Sequence, residues 1–197
     1  LRFVRGIIDT NDLPLNVSRE ILQRNKTLET IRAASVKKIL GLFNTLAEKE
    51  DYAAFWETFG RVLKEGIIED QANHDQLAKL LRFSSTYRDK PEPDVSLMDY
   101  VSRMPDEQDT IYYIISDGYA TASNSPHLEY FRDKGIEVLL MCDPIDEWVA
   151  SHLSEFDGKT FKSVLHGEVT ENDKGKEKIE DQDQNQDEEG KEEEEES

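Results

Sequence analysis

The sequence predicts an α/β protein: a helical segment leading into a small three-layer α/β domain with a mostly parallel sheet, followed by a disordered acidic tail. Three observations carry this. Residues 28–46 repeat apolar side chains at helical spacing; two apolar runs of strand length, "TIYYIIS" and "IEVLLMC", alternate with helical stretches; and residues 168–197 hold almost no apolar side chains. Strands that are apolar throughout belong to a sheet covered on both faces, which is the signature of parallel strands alternating with helices.

Taken in order, "LRFVRGIID" is rich in β-formers and reads as a strand, yet the following sixty or so residues read as helix. A lone apolar strand is not stable in water. Together with a start at Leu1, this predicts a piece of a longer chain whose N-terminal part lies upstream. Residues 11–16 form a turn, with Pro14 and Asn16 as breakers, and residues 18–25 form a short helix capped by Asn16 or Ser18. Leu28, Ile31, Ser35, Ile39, Leu42 and Leu46, widened by Val36, Leu40 and Phe43, give an amphipathic helix with a broad buried face. A second helix presents Tyr52, Phe55, Phe59, Val62 and Leu63, with Gly66 as its stop. "NHDQLAKLL" is a short helix capped by Asn73.

From Leu81 the texture changes. "LLRFSST" reads as a strand and residues 90–94 as a loop. "SLMDYVSRM" is a helix opened by a capping box of Ser96 and Asp99. Strand 110–116, a helical stretch broken near Pro126 and stopped by Gly135, strand 136–142, the helix "PIDEWVASHL" and the strand "FKSVLH" complete the domain. The boundaries that follow are 1–80 for the helical part, 81–167 for the α/β part and 168–197 for the tail.

The formal net charge is −19, and residues 168–197 carry 15 Asp/Glu against 4 Lys, a net −11 that leaves −8 for residues 1–167. Such a tail cannot bury enough surface to offset ordering entropy; it reads as a solvated, solubilising segment. The acidity argues against a nucleic-acid binder, which would show a basic patch. Cys142 is the one cysteine, so no intrachain disulfide is possible, and it reads as a small buried apolar residue. The four histidines show no metal-ligand spacing, and no apolar run is long enough to cross a membrane. The default is a soluble cytoplasmic protein.

Few residues carry obvious chemistry. There is no glycine-rich phosphate loop and no nucleophile elbow. Asp117, Asp143, Asp146 and Glu147 can gather at the carboxyl edge of the sheet, where acids could hold Mg²⁺; as helix caps and first-turn acids, Asp143, Asp146 and Glu147 need no metal, and that reading is favoured. Arg19 stands near a helix start, where the dipole favours negative charge. Its guanidinium fork suits phosphate oxygens, and Gln23, at i+4, lies on the same side. A cation with an amide beside it fits an arginine finger on a transferring phosphoryl; a surface helix with Glu20 as local counter-charge accounts for the same spacing. On the helix "DEWVASHL", an exposed Trp148 would offer a large adaptable contact to an unfolded chain, and a core tryptophan is the alternative.

The segments "LRFVRGIIDTNDLPLNVSREILQ", "FWETFGRVLKEGIIED", "LAKLLRFSST", "VSLMDYVSRM", "IYYI", "SPHLEYFRDKGIEVLLMCDPIDEW" and "LSEFDGKTFKSV" resemble, in order, the heat-shock protein 90 chaperone family, in its bacterial high-temperature protein G type. The likeness runs from Leu1 to about Leu165 and corresponds to the latter part of the family's middle domain. It implies a homodimeric, ATP-dependent chaperone in which ATP and Mg²⁺ are held by an N-terminal domain. The arginine of "NVSRE", here Arg19, would reach the γ-phosphate from outside that domain, supported by Gln23, with residues 13–16 in the loop that carries it. It further implies unfolded client proteins as partners, slightly favours Trp148 as a client contact, and predicts no ATP binding or hydrolysis by this piece alone. A nucleotide-independent protein-binding module is the alternative function.

Overall fold

The computed structural model describes residues 3–9, 26–88 and 90–165, all within one unit, Leu1–His166. Two long helices come first, α1 (Lys26–Ala47) and α2 (Tyr52–Glu69). A tight corner joins them, with Lys49 N donating to Leu46 O and Tyr52 N to Lys49 O. α2 buries Tyr52, Trp56, Gly60, Leu63, Lys64 and Ile67. These positions recur at the three- and four-residue steps of one helix face. Phe55 and Phe59 lie on its flank, where they pack with Phe43 and with Phe3, whose ring stacks on Phe59 at 4.5 Å.

Several expectations change here. α1 buries Leu40 completely, with Val36, Phe43, Leu46 and Ala47 beside it, but Leu42 is 58% exposed. Two residues on from Leu40, Leu42 lies about 200° around the helix and faces away. Gly66 does not end α2, which runs on to Glu69. A Cβ at Gly66 would sit 3.2 Å from Leu77 Cδ1, so the glycine serves the close approach of the next helix. Residues 3–9 form no strand, because no described segment pairs with them and a strand needs a neighbour. The helix expected at 18–25 and the acidic tail lie outside the described residues.

After a 3₁₀ turn, Gln71–Asn73, and α3 (His74–Ala78), the chain enters the sheet. Asn73 precedes α3, but its side chain donates to the Asp70 carboxylate instead of capping the helix. Tyr52 anchors the entry: its hydroxyl donates to Leu80 O at 2.5 Å, and the Arg82 guanidinium lies 4.5 Å from its ring. Burial pushes that hydroxyl up to about 12. The expected strand over "LLRFSST" shortens to β1 (Ser84–Ser85) plus a bridge between Phe83 and Val95.

α4 (Leu97–Arg103) opens with the capping box the sequence predicts, Ser96 Oγ accepting from Asp99 N and Asp99 Oδ2 accepting from Ser96 N. Then come β2 (Thr110–Ile115), α5 (Tyr119–Ser123), a 3₁₀ turn at Pro126–Leu128, α6 (Glu129–Asp133) and β3 (Val138–Met141). Gly135, at φ +66°, supplies the left-handed turn between α6 and β3. α7 (Asp146–His152), β4 (Glu155–Phe156) and β5 (Lys159–Ser163) complete the fold.

The strand order is β1-β3-β2-β5-β4. The three central strands are parallel, with Tyr112 opposite both Val138 and Lys162, and each edge strand pairs antiparallel. The β4–β5 hairpin has no counterpart in the sequence reading. Its turn places Asp157 and Gly158 at φ 51° and 73°, both left-handed, as a two-residue Asp-Gly hairpin requires.

Alternation along the strands makes the layers. Ile111, Leu139 and Met141 join one core with Leu63, Ile67, Leu97, Tyr100, Val149 and Leu153. Tyr112, Ile114, Val138 and Leu140 are buried on the other face, where the Tyr112 and Phe131 rings meet at 4.9 Å. Tyr100, fully buried, ties α4 to the sheet: its hydroxyl donates to Glu137 O at 2.6 Å and accepts from Tyr112 N at 3.0 Å.

Gly60 yields a test of this packing. An exposed helical Gly→Ala change stabilises by about 1 kcal/mol. Here a Cβ would stand 2.7 Å from Trp56 Cε2, because the indole lies across the backbone of the next turn. Gly60→Ala is therefore expected to destabilise, by about 1–3 kcal/mol, measured as a lowered urea midpoint; a raised midpoint would refute the close contact.

Candidate functional site

The site is built on α7 and on what holds it. Pro144 cannot extend β3, and the acids Asp146 and Glu147 fall in the first turn of α7, where the helix dipole favours them. Asp146 N donates to Asp143 O at 2.9 Å, and the Asp146 carboxylate, through Oδ2, accepts from Asp143 N at 2.9 Å, closing the loop on itself. Val149 and Leu153, both 0% exposed, point into the core, and His74 Nε2 of α3 donates to His152 O at 3.1 Å.

Beneath this loop lies an ion cluster. Lys64, on the buried stripe of α2, places Nζ 2.8 Å from Asp146 Oδ1 and 2.5 Å from Asp143 Oδ2. Lys64 is 2% and Asp146 0% exposed, while the Asp143 side chain is about half exposed. The same ammonium lies 4.9 Å from the Phe83 ring centroid and 5.9 Å from that of Trp56. Burial raises the Asp146 carboxyl above its ordinary range, and the Lys64 charge opposes the rise. Burial, with Asp146 nearby, pushes the half-buried Cys142 thiol up to about 11.

The acids at the carboxyl edge of the sheet are thus divided. Asp143 and Asp146 are ligands of a lysine ammonium, and Asp117 and Glu147 are exposed. Among the described residues no group of three or more His, Cys, Asp and Glu could hold a metal ion. Lys64 was missed by the sequence reading. Its signal was a lone cation on a stripe that also holds Trp56, Leu63 and Ile67, which demands a buried acid from elsewhere in the chain.

Trp148 is 62% exposed. It precedes Val149, the residue that anchors α7 inward, so the indole is carried on the outer face of a helix fixed from below. Arg19, Gln23 and the loop at residues 13–16 lie outside the described residues.

The comparisons can now be set beside this geometry. The model of the family described as Hsp90 protein matches residues 1–196. The chain belongs to the Hsp90 family. Among Hsp90 relatives, the chaperone protein HtpG of Halorhodospira halophila is 56% identical over 179 residues, 90% of this chain and 28% of its own length. That of Methylococcus capsulatus is 60% identical over 171 residues, 86% of this chain and 27% of its own. The chain thus spans little more than a quarter of the relatives it matches. A solved structure, the middle domain of a Plasmodium falciparum heat shock protein, superposes with a TM-score of 0.66 at 32% identity, covering 72% of this chain and 60% of that one. The α/β architecture derived above is that of an Hsp90 middle domain.

Two outcomes test the ion cluster. Lys64→Met leaves Asp146 buried without its counter-ion and is expected to cost about 3–5 kcal/mol at pH 7. A carboxyl whose folded pKa lies above its unfolded value is destabilising where it is ionised, and that loss is relieved as pH falls through the folded value. The Lys64→Met deficit in urea unfolding is therefore expected to shrink between pH 7 and pH 5, and Lys64→Met with Asp146→Leu to recover most of it; a deficit independent of pH would contradict the assignment. Separately, iodoacetamide labelling of Cys142 is expected to accelerate about tenfold per pH unit from pH 8 to 10, with a plateau below pH 9.5 as the contrary result.

Proposed function

We propose that this chain is the middle-domain portion of an ATP-dependent chaperone that assists the folding of non-native proteins. In this reading residues 1–80 end a large middle subdomain and residues 81–167 form a small α/β subdomain. Arg19 stabilises negative charge developing on the γ-phosphate of an ATP held, with Mg²⁺, by a separate N-terminal domain of the same protein, and Gln23 supports the guanidinium. A planar, permanently charged fork is suited to that role because it adds charge and direction without a proton to lose. Hydrolysis then drives a clamp cycle of the full-length homodimer in the cytoplasm, and Trp148 contributes to the surface that holds clients.

One observation carries the proposal: identity of 56–60% to bacterial HtpG chaperones over most of the chain. The 62% exposure of Trp148 supports the client surface, since a tryptophan left in water on a rigid helix is a ready hot spot. The same exposure is what favours the second reading, a nucleotide-independent binding module.

Mixing the chain with a purified N-terminal ATP-binding domain separates the two. The wild-type chain is expected to stimulate ATP hydrolysis, and Arg19→Ala to lower that stimulation by on the order of a thousandfold. Trp148→Ala is expected to leave the stimulation intact and to weaken binding of a permanently unfolded protein by roughly tenfold. Stimulation equal in wild type and Arg19→Ala would overturn the catalytic role, and client binding unchanged by Trp148→Ala would overturn the client surface.

A further inference from the structure

A cleft of about 300 Å³ opens at the β1 edge of the sheet, between the turn after β1 and the helices α5 and α6. It lies on the opposite face of the sheet from α7, since Leu140, buried on the α5/α6 side, lines it. Thr86, Arg88, Ser123 and Arg132 form its polar walls, and among the described residues no Asp or Glu lines it. In a segment that is net acidic, this local composition is unusual.

The charges do not cancel there. Arg132 donates through Nη2 to Ser123 O, a neutral carbonyl, and no carboxylate lies within ion-pair distance of it among the described residues. The remaining N–H groups of its fork are thus available at the wall. Arg88 and Lys90 share one carboxylate oxygen, Asp94 Oδ2, each at 2.6 Å. Lys90 alone suffices to neutralise Asp94, so one positive charge of this trio is surplus. Counted over the described residues, Arg88, Lys90 and Arg132 set three positive charges against the one carboxylate of Asp94. Thr86 Oγ1 already accepts from Val138 N at 2.9 Å, which leaves its O–H to be donated.

We propose that this cleft binds a phosphate monoester dianion. Two guanidinium forks and a hydroxyl donor, with no acid among the described wall residues, match an acceptor-only ligand of charge −2. A volume of about 300 Å³ sits at the small end of ligand pockets and suits one phosphorylated group of amino-acid or sugar size. The site does not depend on Arg19 or on any nucleotide held elsewhere, so it stands or falls separately from the chaperone reading.

Isothermal titration of the full 197-residue chain at low salt tests it, with inorganic phosphate, O-phosphoserine and a short phosphoserine peptide as ligands and with serine and acetate as controls. Saturable binding of the phosphates and none of the controls is expected. Affinity is expected to fall below about pH 6, where the monoester takes up its second proton. Arg132→Gln and Arg88→Gln are each expected to weaken binding by roughly tenfold or more, Arg132→Lys to weaken it less, and Lys38→Gln on α1 to change nothing. Tighter binding of the peptide than of the free compounds would point to a phosphorylated side chain as the source, and the reverse to a small molecule; either ranking supports the site. No saturable binding up to roughly 10 mM, or equal affinity in wild type and both Arg→Gln variants at native circular dichroism, would overturn the proposal.

Discussion

The ammonium of Lys64 is the constraint on which the rest of the α/β unit depends. It stands on the buried face of α2, yet its carboxylate partners come from the loop after β3, 79 residues on in the case of Asp143. An ion buried in this way costs several kcal/mol unless its geometry is satisfied. Asp146, Asp143 and the rings of Phe83 and Trp56 offset that cost together and only in one arrangement. The ion cluster adds a directional requirement to the close apolar packing of α2. It ties the long helix to the loop after β3 and, through Asp146, to the first turn of α7.

That placement explains why an exposed tryptophan can be held stiffly. Asp146, Val149 and Leu153 follow one another at three and four residues and all are buried, so one face of α7 is spoken for along its whole length. Trp148 falls on the other side. The sheet divides the molecule in the same way. One face packs on the long helices and on α7; the other carries the short helices α5 and α6 and the cationic cleft beside β1. A layer of apolar β-strand thus lies between the helix that carries Trp148 and the cationic cleft.

Features governed by local rules were legible in the sequence. The Ser96–Asp99 capping box, the two apolar strands, the break at Pro126 and the stop at Gly135 all appear where the residues place them. Features set by tertiary contact were not. A glycine that ends a helix and one that admits a neighbour look alike in sequence, and Gly66 is of the second kind. β4 has two residues, too few for any alternation, so only its Asp157–Gly158 turn could have revealed it. Lys64 drew no notice in the sequence because its partners are far away in the chain. The exposure of Trp148 depended on which face of α7 the Lys64 cluster turns inward. Arg19 and Gln23 came from resemblance more than from physics, since their spacing alone fits an ordinary surface helix.

The strand order has a consequence for synthesis. β2 lies at the centre of the sheet, but its neighbours on the two sides, β3 and β5, are made after it, and β5 ends only at Ser163. A ribosome that has just released β2 has exposed an apolar six-residue strand, "TIYYII", with both backbone edges open. Such a segment is a template for pairing with another nascent chain. At the usual pace of translation this interval lasts on the order of several seconds. The long helices emerge earlier and can wait as partners for one face of the strand, and β3 then covers one hydrogen-bonding edge, but the other edge stays unprotected until the hairpin at Asp157–Gly158 brings β5 home. A domain read as belonging to a chaperone thus passes through a stage of its own making in which it needs protection from aggregation.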